Sequence, residues 1–245
     1  MKCNIIITAG GTSEKIDNVR KITNSSSGKL GQIIANKLIE KYEDKINKIY
    51  YLCSKNSYKP KNSKIEIVEI QSTLDLESAI KNLLINNKIN YFIHSMAVSD
   101  YMVDYVTTAK DLAENINHNK DALNALLTPN NVLNCNKISS NEENLIIKLK
   151  KTPKIISIIK NLSPKTYLVG FKLLDGVKED FLIDTAIKLK EKNNCNLVVA
   201  NDLQTIRQGL HKAFIIKSKD NYITAFGKED IAKKLIEQML NIKGE

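Results

Sequence analysis

Arg20 and Asn24 stand between two glycine turns, and their types suit chemistry on anions. A guanidinium can hold a phosphate or carboxylate through two parallel hydrogen bonds, and a side-chain amide can donate to a developing oxyanion. Either residue can equally brace a loop. Both belong to the stretch from Ile7 to Gly31, ITAGGTSEKIDNVRKITNSSSGKLG. It leaves an apolar run, Cys3 to Thr8, through Ala9-Gly10-Gly11-Thr12. A polar run from Thr23 to Lys29 (Asn24, Ser25, Ser26, Ser27 and Gly28 inside it) then enters a helical pattern with Leu30, Ile33, Ile34 and Leu38 apolar. Bare backbone N–H groups at glycines and the positive end of a helix both attract anions. Two such turns close together imply a ligand with more than one anionic group.

The segment differs from its commoner relatives. A Walker A loop needs Gly at the position of Thr23 and Ser or Thr at that of Leu30. The dinucleotide fingerprint is absent because Gly10 and Gly11 are adjacent.

Other candidates are scattered along the chain. Asp100 follows an apolar run and can accept from a ribose hydroxyl or an amine. Lys137 lies in the polar stretch Asn136-Lys137-Ile138-Ser139-Ser140. Lys188 and Lys192 are spaced to share one helix face and can clamp a polyphosphate. Thr152 and Pro153 read as the cap and first residue of a helix whose free amides face an anion. His94 reads as a satisfied strand-end histidine. No Ser/His/Asp order, zinc spacing or carboxylate pair is present, so a reaction driven by positioning and charge stabilisation is favoured.

The elements that must hold these residues alternate. Strands are expected at 3–8, 46–53, 65–70, 91–95, 166–171 and 197–200, and helices at 29–42, 73–86, 153–162, 178–192 and 228–242. The alternation predicts an α/β fold: a doubly wound, Rossmann-like, mostly parallel sheet with helices on both faces. Runs at 213–217 and 222–225 predict a late hairpin at the sheet edge. Ligands of such sheets sit beyond the strand ends. Those ends read Ala9-Gly10-Gly11-Thr12, Met96-Ala97-Val98-Ser99-Asp100, Gly170-Phe171-Lys172 and Asn201-Asp202. Residues 1–245 read as one domain, with an insertion at about 101–140 that folds over the site or packs on a partner chain.

Composition agrees with a globular protein. Hydrophobic residues make up 42% and charged residues 26% of 245, enough for a core without staples. The cysteines at 3, 53, 135 and 195 form no C-x-x-C and read as small residues of a reducing compartment, most of them in apolar runs. The net charge of +10 comes from dispersed lysines without interleaved Trp, which favours solvated lysine faces, with some positive potential for anionic substrates, over nucleic-acid binding. No apolar run is long enough to span a membrane and no signal-peptide pattern opens the chain, so a cytoplasmic protein is expected.

The long first motif resembles the signature of the phosphopantothenate–cysteine ligase family. HSMAVSDY (94–101), KISS (137–140), LKKTPKII (149–156), VGFKLL (169–174) and VVANDL (198–203) resemble that family's later motifs in order. The resemblance covers essentially the whole chain and is strongest to the monofunctional bacterial branch. It implies a homodimeric enzyme of coenzyme A biosynthesis that joins 4′-phosphopantothenate to L-cysteine with CTP and Mg²⁺. An acyl-cytidylate would form with release of pyrophosphate, and a separate decarboxylase would act next. Carried over by motif, Asn24 would stabilise the acyl intermediate, Arg20 would help hold phosphopantothenate, and Lys137 would neutralise phosphates or support the cysteine step. Gly10, Gly11, Thr12, Ser26, Ser27 and Gly28 would line the phosphate sites. Met96, Ala97, Asp100, Pro153, Lys154, Ile155, Ile156, Phe171, Lys188 and Lys192 would meet the nucleotide. Mg²⁺ would bridge the triphosphate, held largely by water and phosphate oxygens, so few protein ligands would be needed. The readings left open are a nucleotide-dependent oxidoreductase of Rossmann type and a non-catalytic nucleotide-binding module.

Overall fold

A computed structural model describes residues 2–119, 121–133 and 136–240. In chain order the elements are β1 (Cys3–Ala9), β2 (Ser13–Lys15), β3 (Lys21–Thr23), α1 (Lys29–Tyr42), β4 (Ile46–Cys53), β5 (Ile65–Glu69), α2 (Thr73–Asn86), β6 (Tyr91–His94), β7 (Tyr101–Thr108), α3 (Ala109–His118) and α4 (Ala122–Leu127). There follow β8 (Leu145–Lys151), α5 (Ile155–Leu162), β9 (Tyr167–Leu174), α6 (Glu179–Lys192), β10 (Leu197–Asp202), α7 (Leu203–Arg207), β11 (Lys212–Ser218), β12 (Asn221–Phe226) and α8 (Gly227–Leu240).

The main sheet has the order β12-β11-β10-β9-β6-β1-β4-β5. Its six parallel strands, counted along the chain, run 3-2-1-4-5-6, the doubly wound order with a switch point between β1 and β6. β11 and β12 add an antiparallel hairpin beyond β10, as the sequence predicts. Alternation along each strand divides the core. Ile5, Ile7, Tyr51, Val169 and Val199 face α1 and α8. Ile6, Leu52, Phe92, Leu168 and Val198 face α2, α5 and α6. Each such aliphatic side chain contributes roughly 1.5–3 kcal/mol by leaving water. No helix joins β4 to β5, and α8 packs beside α1 on that face instead.

Several expected boundaries move. β9 runs on to Leu174 and β10 to Asp202, because the two strands pair through Asp202↔Leu174. Gly170, Phe171, Asn201 and Asp202 therefore lie within strands. β6 is short, pairing with β9 only as far as Ile93↔Val169, so β9 outruns its neighbour at the switch point. α5 begins at Ile155, with Lys154 at its cap position. Thr152 does not cap it: its hydroxyl donates to Ser99 O at 2.6 Å. The final helix is described to Leu240, so the expected 241–242 lie outside the described residues.

The inserted segment is longer than its sequence suggests, and its described residues form regular elements. β7 and β8 pair antiparallel from Tyr101↔Lys151 to Thr108↔Leu145, so the excursion runs to Lys151 rather than to 140. α3 and α4 lie between the arms, each with an aspartate or threonine cap. A second small hairpin, β2–β3, was also not expected. Its strands are three residues each, too short to show alternation.

Cys53 and Cys195 are buried, and burial pushes both thiols up to about 11, which makes them unreactive packing groups. Cys3 is only half-buried, and Cys135 lies outside the described residues.

Candidate active site at the switch point

β1 sends the chain toward α1 on one face, and β6 sends it toward β7 and α5 on the other. The crevice between them is closed first by backbone hydrogen bonds. Ala97 N–H donates to Gly10 O (2.8 Å), Thr12 N–H to Ala97 O (3.1 Å), and Asn24 N–H to Thr12 O (3.1 Å). Thr12 is buried, its hydroxyl donating to Ser99 Oγ (2.9 Å) and accepting from Ser99 N–H (2.8 Å). Three loops from β1, β3 and β6 are thus tied to one another.

Glycine is required where they meet. A Cβ on Gly11 would lie 1.7 Å from the carbonyl oxygen of Asn24. Gly10 has φ +84°, and a Cβ there would lie 1.9 Å from Ser57 Oγ. This backbone approach carries Asn24 into the crevice. Its amide donates to Val98 O at 3.0 Å, and its other amide proton and its oxygen have no partner among the described residues. The group is held by one end and available at the other.

Beside Asn24, on the β4 side, opens a cavity of about 270 Å³ lined by Lys21, Asn24, Ser26, Ser54, Lys55 and Gln71, among others. No carboxylate lines it. Ser54 and Lys55 follow β4, a strand end not enlisted from the sequence. Its signal is Ser54-Lys55-Asn56-Ser57 directly after an apolar strand, legible only once β4 is known to neighbour β1. Ser27 O accepts from Tyr58 N–H at 3.0 Å, and Tyr51 OH donates to Tyr58 O at 3.0 Å, so this loop and the start of α1 are fastened together. Gly28 occupies the cap position of α1 with φ +72° and no side-chain cap.

The tip of the β2–β3 hairpin forms a second anchor. Asp17 is buried and accepts from the backbone N–H groups of Arg20 (2.6 Å), Val19 (2.7 Å) and Ile138 (3.1 Å). These bonds, Arg20's first, hold its carboxyl below the usual carboxylate range against the opposing effect of burial. Arg20 pairs with Asp17 (3.4 Å) and donates to Ile138 O (3.4 Å), so its guanidinium braces the contact between hairpin and insertion. Asn18 N–H donates to Asn136 O at 3.0 Å. The exposed Lys137 is thereby brought to the same anchor as Arg20.

On the other side of Asn24, Asp100 and Lys154 form an exposed ion pair at 2.5 Å. Thr152 N–H donates to Asp100 O at 3.0 Å, so Asp100, Pro153, Lys154, Ile155 and Ile156 share one corner. Met96 is buried in the core, and Ala97 is half-buried in the clasp. Phe171, partly buried, packs on the α1–α8 face where β9 outruns β6. Lys188 and Lys192 are exposed toward the far end of α6, about 14 and 20 Å along the helix at ~1.5 Å per residue from Glu179. That end meets the start of β9, where Asn196 N–H donates to Leu168 O. The structure therefore does not bring these two lysines to the strand-end crevice.

His94 is buried at the end of β6, with Nδ1 2.9 Å from Thr8 Oγ1. Burial pushes its pKa down to about 4, so it is neutral near pH 7 and serves as a structural partner of Thr8.

The sequence profile of the DNA/pantothenate metabolism flavoprotein C-terminal domain matches residues 1–131 and 106–242. The coenzyme A biosynthesis bifunctional protein CoaBC of Thermococcus kodakarensis is 34% identical over 231 residues, covering 94% of this chain and 46% of that protein. The chain thus spans about half the length of that curated relative. The crystal structure of the DNA/pantothenate metabolism flavoprotein from Streptococcus pneumoniae superposes with a TM-score of 0.83 at 37% identity, over 98% of this chain and 100% of that one. The C-terminal domain of a CoaBC protein shares the fold, with a TM-score of 0.68 at 23% identity over 98% and 97% of the two chains.

Two outcomes follow from the geometry. Gly11→Ala forces the clasp apart at Asn24 and should lower stability by about 1–3 kcal/mol, as an overpacked site does. Unchanged denaturant unfolding would contradict the close approach. His94 binds its proton more weakly folded than unfolded. Its contribution is therefore complete above about pH 6.5 and is lost as pH falls toward 4, by about 2–3 kcal/mol. His94→Gln should flatten that part of the stability–pH curve, and an unaltered slope would refute the assignment.

Proposed function

Because the chain belongs to the family of the DNA/pantothenate metabolism flavoprotein C-terminal domain, we propose that it is the ligase that joins 4′-phosphopantothenate to L-cysteine, with CTP as co-substrate. The observation that carries this reading is Asn24, an oriented amide between a carboxylate-free, lysine-lined cavity and the Asp100–Lys154 corner. An acyl nucleotide has two anionic arms that diverge from one carbonyl, and this layout suits such an adduct. The coenzyme A biosynthesis role in the name of the Thermococcus relative agrees.

In this reading the substrate carboxylate attacks the α-phosphate of CTP and pyrophosphate leaves. The cysteine amine then attacks the acyl carbon, CMP departs with the bonding electrons, and the amine proton is released to solvent. The free N–H of Asn24 donates to the acyl oxygen as charge builds there, worth several kcal/mol in a fixed, partly desolvated site. Gly10, Gly11, Ser26, Ser27 and Gly28 present backbone and hydroxyl donors to phosphate oxygens, while buried Thr12, its N–H and hydroxyl both engaged by Ala97 O and Ser99 Oγ, holds the loops that carry them. Met96, Ala97, Asp100, Pro153, Lys154, Ile155, Ile156 and Phe171 shape the nucleotide side. Lys137, placed beside the Arg20 anchor, supplies positive charge. Lys188 and Lys192 have no part in this site.

The donors around the crevice are lysines, amides and hydroxyls, a set suited to phosphate oxygens rather than to a cation. Among the described residues no group of three or more His, Cys, Asp or Glu could hold a metal. Mg²⁺ would therefore arrive on the triphosphate, supplying charge neutralisation there. No helix among the described residues is long and apolar enough to cross a membrane.

The partner in this reading is a second copy of the chain. β7 and β8 form a two-stranded ribbon outside the main sheet, and such a ribbon is marginal alone. One face of β8 exposes Leu145 (37%), Ile147 (37%) and Leu149 (41%). Apolar alternation on an open-edged ribbon calls for a covering surface.

Purified protein with phosphopantothenate and Mg²⁺ should release pyrophosphate with CTP in preference to ATP, and cysteine should drive turnover. Release without phosphopantothenate, or none with either nucleotide, would reject the ligase reading. Asn24→Ala should melt within a few degrees of the parent yet lose amide formation by about 100-fold or more; near-normal turnover would remove its role. Ile147→Lys with Leu149→Lys should sediment as a monomer where the parent sediments as a dimer. A parent that is monomeric would discard the homodimer.

A further inference from the structure

Glu14 is a buried acid with no part in the chemistry above. It lies in β2, is only 3% exposed, and its Oε1 accepts from the N–H (2.9 Å) and the hydroxyl (2.7 Å) of Thr73 at the start of α2. The helix does not require this bond. Ser72 and Asp75 already close a capping box over its first turn. An acid side chain leaves water at a cost, which the two donors and the positive end of the helix offset. What the contact stabilises is therefore the strand that carries Glu14.

β2 and β3 pair over three residues each, a ribbon too short to stand alone. All of β3 is exposed, whereas Ser13 and Glu14 of β2 are buried. Apart from its tip at the Asp17 anchor, the hairpin thus meets the body of the protein through β2. There Ser13 N–H donates to Gln71 O at 2.7 Å, and Glu14 grips Thr73. Asn24 follows β3 directly, and the Thr12 carbonyl that accepts from Asn24 N–H belongs to the residue before β2. The Thr73 hydroxyl also lies 3.4 Å from that of Thr12.

Resting on the ligase reading above, we propose that Glu14 is a positioning residue for Asn24. By clamping β2 to the start of α2 it fixes where Thr12 and Asn24 stand, so that the Asn24 amide is aimed at the acyl oxygen before that oxygen gains charge. A donor placed in advance is worth most in the transition state, and a small displacement far from the reacting atoms is enough to forfeit it. Glu14 touches no substrate and moves no proton. Its effect therefore falls on turnover and leaves binding of the acid largely alone.

The test compares the parent with Glu14→Ala, Glu14→Gln and Ser72→Ala by amide hydrogen exchange without substrates and by steady-state kinetics. Glu14→Ala should speed exchange in the peptide from Thr12 to Asn24 and leave α2 protected, whereas Ser72→Ala should loosen the first turn of α2 and spare the hairpin. Glu14→Ala should lower kcat on the order of 10–100-fold, the scale of a misplaced group. The KM and calorimetric Kd of phosphopantothenate should stay within about threefold. Glu14→Gln keeps an acceptor oxygen for Thr73 and should hold kcat within about threefold of the parent. Combining Glu14→Ala with Asn24→Ala should cost no further turnover, because no amide is left to misplace. If Glu14→Ala does not fold, Thr73→Val removes one of the two bonds and should show the same pattern more weakly. A raised KM with normal kcat, fully additive losses in the double variant, or exchange that rises in α2 instead of the hairpin would each overturn the assignment. Absence of amide formation by the parent would instead reject the ligase reading, and the exchange comparison would still decide whether Glu14 holds the Asn24 loop.

Discussion

The site depends on one close approach of backbone to backbone. Gly11 passes so near Asn24 that no side chain fits between them. That proximity allows Thr12 to accept from Asn24 N–H while donating to Ala97 O. Without it the β1, β3 and β6 loops would be three independent excursions, each losing conformational entropy with nothing to offset the loss. With it they share a ladder that extends the parallel sheet beyond its last regular pair. Asn24 is then positioned by main-chain bonds, which resist displacement better than a side chain on a free loop would.

Electrostatics follow from that arrangement. The strand ends collect backbone donors and lysines on both sides of the switch point, while the nearby acids are occupied. Asp17 is spent on three backbone N–H groups, Glu69 on Lys59, and Glu14 on the first residue of α2 through Thr73 N–H and hydroxyl. What remains unpaired at the crevice is positive. This edge, where backbone amides also point, is therefore suited to an anion, and local charge matters here more than the overall +10.

The β7–β8 excursion answers to a different constraint. It is fixed at its base by Thr152 and Asp100 and at its far end by the Asp17 anchor, so it reaches the site from both ends. Between them it exposes a stripe of aliphatic side chains that a lone chain does not cover. The same segment thereby links the crevice to whatever surface covers that stripe, and a covering chain would stiffen both.

Much of this was legible in the residues. The helices at Lys29–Tyr42 and Thr73–Asn86 and the strand at Ile46–Cys53 follow from apolar periodicity, and their bounds agree with the structure. The edge hairpin and the Gly10-Gly11 turn were likewise visible, because local chemistry alone dictates them. Strand pairing was not. β9 and β10 extend each other past their apolar runs, β7 and β8 define each other across 36 intervening residues, and Thr152 leaves its helix cap for Ser99. The same limit hid Ser54 and Lys55, which matter only because β4 lies beside β1, and misplaced Lys188 and Lys192, whose spacing is right for a clamp but whose helix runs away from the site. Sequence by itself determined most of the main-sheet strands and their helices, the fold class and the glycine turn that opens the strand-end edge, since these rest on interactions within a few residues. Tertiary structure alone decided which strand ends share a cavity and which lysines face it, since those depend on contacts between segments far apart in the chain.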